Sequence, residues 1–205
     1  MVNLTLGEVV RDYRVTLQEA LDQLSLEGVQ SIAREILAAR DRGGRVYVFG
    51  NGGSAATASH MACDLVKNTA GAGASRDGGA PRLRVQALTD NMALLSALAN
   101  DLGYEAVFAE QLLQAPVTAS DLAIAISGSG NSLNILNAVD VAVAAGARTV
   151  GITGLGGGRL APAVDVALVV PSDSMEIVED VHLMVNHAVT SAIRAVLSAR
   201  VTAVA

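Results

Sequence analysis

Residues 45–60, RVYVFGNGGSAATASH, decide the fold. Val46-Tyr47-Val48-Phe49 is an unbroken β-branched and aromatic run, the pattern of a strand buried on both faces. It enters Gly50-Asn51-Gly52-Gly53-Ser54 and then an alanine-rich segment suited to a helix. Strand, glycine turn and helix in that order open a βα unit, and a chain that repeats the unit builds a parallel sheet.

Outward from this stretch the unit does repeat. LRVQAL (83–88), LAIAIS (122–127), RTVGIT (148–153) and VALVV (166–170) read as strands, with helices near 54–67, 91–99, 104–114 and 132–145. A last helix over 174–200 contains neither Pro nor Gly. Five strands, each followed by a helix, predict an α/β fold with a doubly wound five-stranded parallel sheet of the flavodoxin-like kind. Before the sheet, Leu6, Val9, Val10, Tyr13, Leu17, Leu21 and Leu24 recur at three- and four-residue steps over 5–24, and a second helix covers 27–41. This N-terminal helical pair (1–42) is read as packing or subunit contact, ahead of the α/β core (45–205). Residues 69–81, TAGAGASRDGGAP, are small and glycine-rich and read as a mobile loop.

Composition narrows the partners. A chain of 205 residues fits one domain, and with 51% hydrophobic but only 2% aromatic residues its core must be close-packed aliphatic side chains. A net charge of −6 and a single lysine, Lys67, leave no basic stripe for nucleic acid. Mean hydropathy is +0.43, yet no window approaches the roughly 18 apolar residues of a membrane span. Glu8, Arg11 and Asp12 stand where a signal peptide needs its apolar centre, and the lone Cys63 has no internal disulfide partner. A cytoplasmic protein is expected.

In parallel sheets of this kind ligands bind beyond the carboxyl ends of the strands. After the first strand, Gly50 to Ser54 let backbone amides approach an anion, with Ser54 placed to cap the next helix. Gly50, Gly52 and Ala55 fit a dinucleotide fingerprint, but the second strand ends near Asp90, about forty residues on instead of about twenty. No nucleotide cofactor is expected, and the glycines alone would also serve a plain tight turn. After the third strand, Ser127-Gly128-Ser129-Gly130-Asn131-Ser132 offers three hydroxyls, free amides and a helix N-terminus, a set suited to a phosphate monoester. The Walker pattern does not occur, so the phosphate belongs to a small substrate.

A third group is His60 and Asp64, four apart on one helix face. His182 and His187 share the last helix with Glu176, Glu179 and Asp180, and Glu179 and His187 lie eight apart at similar azimuth. Two imidazoles and two carboxylates can hold a divalent metal such as zinc, or supply acid and base. Spacing alone favours His60 as a hydrogen-bonded packing residue and Asp64 as an i,i+4 helix partner. His182, well round the helix from His187, reads as packing or interface, and Cys63 as a small buried hydrophobe.

GNGGSAATASH (50–60), Asn100-Asp101, ISGSGNS (126–132), ITGLGGG (152–158) and VEDVHLMVNH (178–187), in this order over nearly the whole chain, resemble the sugar isomerase (SIS) domain proteins and, within them, the phosphoheptose isomerases. The resemblance implies a single SIS domain over 1–205 and a homotetramer with active sites at subunit interfaces. It implies conversion of sedoheptulose 7-phosphate to D-glycero-D-manno-heptose 7-phosphate through an enediol(ate). Substrate contacts would fall on Asn51, Gly52, Gly53, Ser54, Asn100, Asp101, Ser127, Gly128, Ser129 and Ser132. The zinc-binding set would be His60, Asp64, Glu179 and His187, with Asp64 or Glu179 as base and His187 as acid.

Several positions depart from the family pattern. Asp64 stands where Glu is usual, one methylene or roughly 1.5 Å further back; Glu179 replaces Gln, Gly128 replaces Thr, and Asn68 takes the place of an Arg found in some relatives. The alternative reading is a non-catalytic SIS-domain regulator that binds a sugar phosphate or a protein. In one such relative the positions of Asp64 and His187 lack acid-base groups, so their presence here favours an enzyme.

Overall fold

The computed structural model describes residues 5–70 and 82–202, the last two as backbone only. Most of the expected loop at 69–81 therefore lies outside the described residues; Thr69 and Ala70 close the preceding helix. The five strands are β1 (Val46–Gly50), β2 (Val85–Ala87), β3 (Leu122–Ser127), β4 (Arg148–Thr153) and β5 (Val166–Val169). All pair in parallel, in the order β2-β1-β3-β4-β5. The helices are α1 (Leu6–Gln23), α2 (Leu26–Asp41), α3 (Gly53–Thr69), α4 (Met92–Leu102), α5 (Ala109–Gln114), α6 (Leu133–Ala144) and α7 (Met175–Thr202).

Strand alternation divides the interior into two layers. Val46, Val48, Leu122, Ile124, Ile126, Val150 and Ile152 face one side, where α2, α3 and α7 bring Ile32, Ile36, Met61, Leu65, Val181 and Val185. Tyr47, Phe49, Ala123 and Ala125 face the other, against Leu112, Ile135 and Val139 of α5 and α6. Burial of the strands on both faces is why they read as continuous apolar runs.

Two expected helices differ. The stretch 104–114 breaks into a 3₁₀ turn (Tyr104–Ala106) and α5, because Val107 and Phe108 turn fully into the core, Phe108 against Phe49 at 5.6 Å between ring centroids. No α-helix follows β4. Gly156, Gly157 and Gly158 all take positive φ, and with Pro162 they leave only two 3₁₀ turns, Leu155–Gly157 and Ala161–Ala163. The apolar stripe of α1 also behaves unlike a core face. Ala20 alone is buried within the helix, while Leu6, Val9, Val10, Tyr13 and Leu21 stay exposed. The helix is tied down partly by the Tyr13 hydroxyl, which donates to Asp180 at 2.7 Å.

Candidate functional site

Strand order reverses between β1 and β3, so the loops after these strands flank a crevice at the switch point. Asn51 and Asn134 lock the two loops together through reciprocal amide bonds, each 2.9 Å, and the Tyr104 hydroxyl donates to Asn51 Oδ1 at 2.9 Å. Asn51, Ser54, Ser127, Gly128, Ser129, Ser132 and Glu179 line a cleft of about 200 Å³ there. Its lining contains no lysine or arginine, so an anion is met by hydroxyls and amides.

The loop after β3 is held in an anion-receiving shape. Ser127 Oγ accepts from the Gly130 amide and Ser129 Oγ from the Asn131 amide, both at 3.2 Å, which leaves each hydroxyl proton free to donate outward. Ser132 is the N-cap of α6 but makes no side-chain cap bond, so first-turn amides remain unengaged by it. The glycine-rich segment after β4 braces this loop from behind. Gly154 donates to the Gly128 carbonyl at 3.0 Å and Leu160 to that of Gly130 at 2.9 Å. Gly130 has φ +65°, and a Cβ there would stand 2.2 Å from the Gly157 carbonyl oxygen, so only glycine permits the contact.

On the β1 side, Ser54 does not cap α3 as the sequence suggested. Gly52, with φ +54°, turns the chain two residues earlier and occupies the N-cap, which places Ser54 inside the first turn and buried. Gly53 lies beneath Glu179: a Cβ on Gly53 would stand 2.5 Å from a Glu179 carboxylate oxygen. Asn100 and Asp101 end α4, exposed and bonded to each other at 2.7 Å, and are not part of the cleft lining.

Further along α3 and α7 the second group assembles. His60, Asp64 and His187 bring one ligand atom each to within 4.8 Å of one another. His60 Nε2 lies 3.2 Å and His187 Nε2 3.7 Å from Asp64 Oδ2. The two Nε2 atoms are 3.5 Å apart, with the rings edge to face at 74°. Tetrahedral zinc with bonds of about 2.0–2.1 Å spaces its ligand atoms roughly 3.3–3.4 Å apart. Three nitrogen and oxygen donors at this spacing could hold a divalent ion. Glu179 does not join them. Eight residues place it on the same side of α7 as His187 but about 12 Å away along the axis, so it meets the N-terminus of α3 instead of its middle.

Two participants escaped the sequence reading. Asn134 and Asn186 are both buried, and Asn186 Nδ2 donates to Asp64 Oδ2 at 3.2 Å. A polar residue inside an apolar helical stripe was the available signal. His182 is buried as expected of a packing residue, with both ring nitrogens unpartnered. Cys63, by contrast, is exposed and not a core residue. No helix among the described residues is long and apolar enough to cross a membrane.

A hydroxyl- and glycine-lined loop at the switch point of a five-stranded parallel sheet, with histidines and an aspartate on the flanking helices, defines a SIS-domain protein, and residues 11–154 match the SIS domain family. The chain is 36% identical over 174 residues to the phosphoheptose isomerase of Aliarcobacter butzleri, covering 85% of this chain and 84% of that one. It is 40% identical over 161 residues to that of Solidesulfovibrio magneticus, with 78% and 74% covered. The structure of phosphoheptose isomerase from Neisseria gonorrhoeae superposes with a TM-score of 0.82 at 30% identity, over 93% of this chain and 100% of that one. The chain belongs to the phosphoheptose isomerase family of SIS-domain proteins.

Proposed function

We propose that this protein is an isomerase that interconverts sedoheptulose 7-phosphate and D-glycero-D-manno-heptose 7-phosphate. The observation that carries this reading is the convergence of His60, Asp64 and His187 on α3 and α7, the two helices whose N-terminal ends, at Ser54 and Glu179, line the serine- and glycine-rich cleft. Gly53 and His60 are seven residues apart on α3, about 10 Å along the axis. An extended seven-carbon sugar phosphate spans such a distance and a triose phosphate does not. A purely receptive protein has no use for an imidazole and a carboxylate placed together at the far end, which sets the regulator reading second.

The phosphate sits among Ser127, Ser129, Ser132 and the amides of Gly128 and Gly53, favoured by the positive end of the α6 dipole. Asn51, Gly52 and Ser54 shape the opposite wall, while Asn100 and Asp101 are carried over from the family motif alone. A 1,2 shift needs a base for the proton moving between C1 and C2 and an acid for the protons exchanged between O1 and O2. These groups act on adjacent atoms and must therefore be neighbours. Asp64 and His187 satisfy this at 3.7 Å; Glu179 does not. Asp64 is thus the favoured base, and with no metal bound His187 is the acid. Glu179 is left to orient sugar hydroxyls beside the phosphate.

Zinc is the metal best suited to His60, Asp64 Oδ2 and His187; if bound it would occupy the His187 lone pair and would itself polarise the substrate carbonyl and stabilise the enediolate in place of the imidazole acid. One SIS domain spans 1–205, acting in the cytoplasm without a nucleotide cofactor. Its exposed α1 stripe, together with an apolar groove of about 280 Å³ between α2 and α7 that includes Val29, Leu37, Val189 and Ile193, suits burial in a homotetramer. Light scattering gives the assembly size. Incubation with sedoheptulose 7-phosphate and analysis of the sugar formed tests the reaction, and binding without turnover returns the regulator reading.

A further inference from the structure

We infer that Asn186, its carbonyl end bonded by Thr190, is a positioning residue that holds Asp64 Oδ2 toward His60 and His187. Asn186 is completely buried on α7, among Val181, Val185, Val189 and Ile193, with buried His182 and Thr190 one turn to either side. Asparagine is a mediocre helix former, and a buried primary amide is costly unless both its ends are bonded. Both ends are bonded here. Thr190 Oγ1 donates to Asn186 Oδ1 at 3.5 Å, and Asn186 Nδ2 donates to Asp64 Oδ2 at 3.2 Å.

The chain of bonds has one sense only. An ionised carboxylate accepts and cannot donate, so the amide must present its NH₂ to Asp64 and its carbonyl to Thr190, whose hydroxyl can donate. The carboxylate fixes the sense of the amide, and the Thr190 hydroxyl, able to donate or accept, satisfies the carbonyl end. On the opposite side of the carboxylate, Asn68 Nδ2 donates to Oδ1 at 3.3 Å. The two asparagines, one per helix, pin the carboxylate plane between them. Oδ2 faces both imidazoles and Oδ1 does not. Without Asn186 the carboxylate can rotate toward Asn68 and the three donor atoms lose their common focus.

This inference rests on the metal reading of the cluster, and cobalt(II) serves as the probe for both. Metal-stripped protein is titrated with Co²⁺ and followed by its visible d–d absorption, alongside kcat and KM for sedoheptulose 7-phosphate and a melting curve. Asn186→Leu is expected to weaken Co²⁺ binding roughly 10–100-fold, the usual consequence of losing an outer-shell partner. It should lower kcat and leave KM nearly unchanged, since the phosphate cleft is untouched. Thr190→Val should follow in the same direction, and Thr190→Ser, which keeps the hydroxyl, should restore wild-type binding. A packing role alone would lower the melting temperature and leave the cobalt isotherm where it was. Identical isotherms in wild type, Asn186→Leu and Thr190→Val overturn the inference. If the wild type itself takes up no cobalt the metal reading falls, and an unchanged kcat in the same variants then overturns the positioning role too. Should Asn186→Leu fail to fold, the Thr190→Val and Thr190→Ser pair decides.

Discussion

His60 and His187, on different helices and 127 residues apart in the chain, face each other through their Nε2 atoms at 3.5 Å. The juxtaposition follows from the parallel run of α3 and α7: Gly53 meets Glu179 near one end, and His60 meets His187 two turns on. Two neutral imidazoles so placed can share only one N–H between them, whereas a divalent cation satisfies both lone pairs at once. Zinc added to metal-stripped protein is therefore expected to raise the melting temperature of the wild type but not of Asp64→Asn or His187→Ala. At a hundredfold excess over Kd the stabilisation should be about 2.7 kcal/mol. Calorimetric scans with and without zinc make the comparison, and an equal shift in all three proteins places the ion elsewhere.

Asp64 and Glu179 can be separated by paired amide substitutions. Loss of a sole general base costs about 10²–10⁴-fold in rate, so Asp64→Asn should lose turnover by that order. Glu179→Gln should keep kcat within several-fold and lower KM, because it removes a negative charge from a cleft that receives a phosphate. Initial-rate kinetics on both variants suffice. The reverse pattern would give Glu179 the proton and leave Asp64 as a metal ligand only.

The close approach of Gly53 to Glu179 makes a double-mutant cycle informative. Gly53→Ala forces the Glu179 carboxylate aside, since 2.5 Å is far inside van der Waals contact, and should raise KM about tenfold. In Glu179→Ala the same Gly53→Ala change meets no carboxylate and should be nearly neutral. Residues in direct contact show coupling of roughly 0.5–3 kcal/mol, and additivity within about 0.5 kcal/mol would mean that the contact has no bearing on substrate binding.

Strands and most helices could be read in the sequence because burial on both faces makes β1, β3 and β4 near-continuous apolar runs, and because α3 and α7 carry their apolar residues at helical spacing. The failures have local causes. Three successive positive-φ glycines and Pro162 abolish the crossover helix after β4, a decision of backbone geometry that hydrophobic periodicity does not report. In the site, i,i+4 spacing correctly joined His60 to Asp64, and the two-turn spacing of Glu179 and His187 correctly gave a shared side of α7. Eight residues also separate the two by about 12 Å along the axis, and within this chain Glu179 lies beside Gly53 while His187 lies beside His60. Asn134 and Asn186 act across the sheet switch and between helices, where only tertiary contact reveals a partner.

His182 supplies a test of stability against pH. Its ring is buried, neither nitrogen makes a hydrogen bond of ordinary geometry, and burial lowers its pKa from 6.5 to about 4, with a weak interaction with the Thr153 backbone offsetting the shift only in part. The unfolded chain therefore takes up a proton at this residue between pH 6.5 and about 4 that the folded chain refuses. Because the unfolded state binds more protons in that window, stability contributed by His182 is complete above pH 6.5 and falls as pH drops toward 4. The shift corresponds to roughly 3 kcal/mol over the whole window. In His182→Leu this part of the slope should vanish, and because an unbonded polar ring is exchanged for an apolar side chain, stability at pH 7 should hold or improve. Urea midpoints at pH 7, 6 and 5 for the two proteins test this directly. Parallel decline in both would mean that His182 finds a partner for its proton in the folded protein and that other groups set the acid sensitivity.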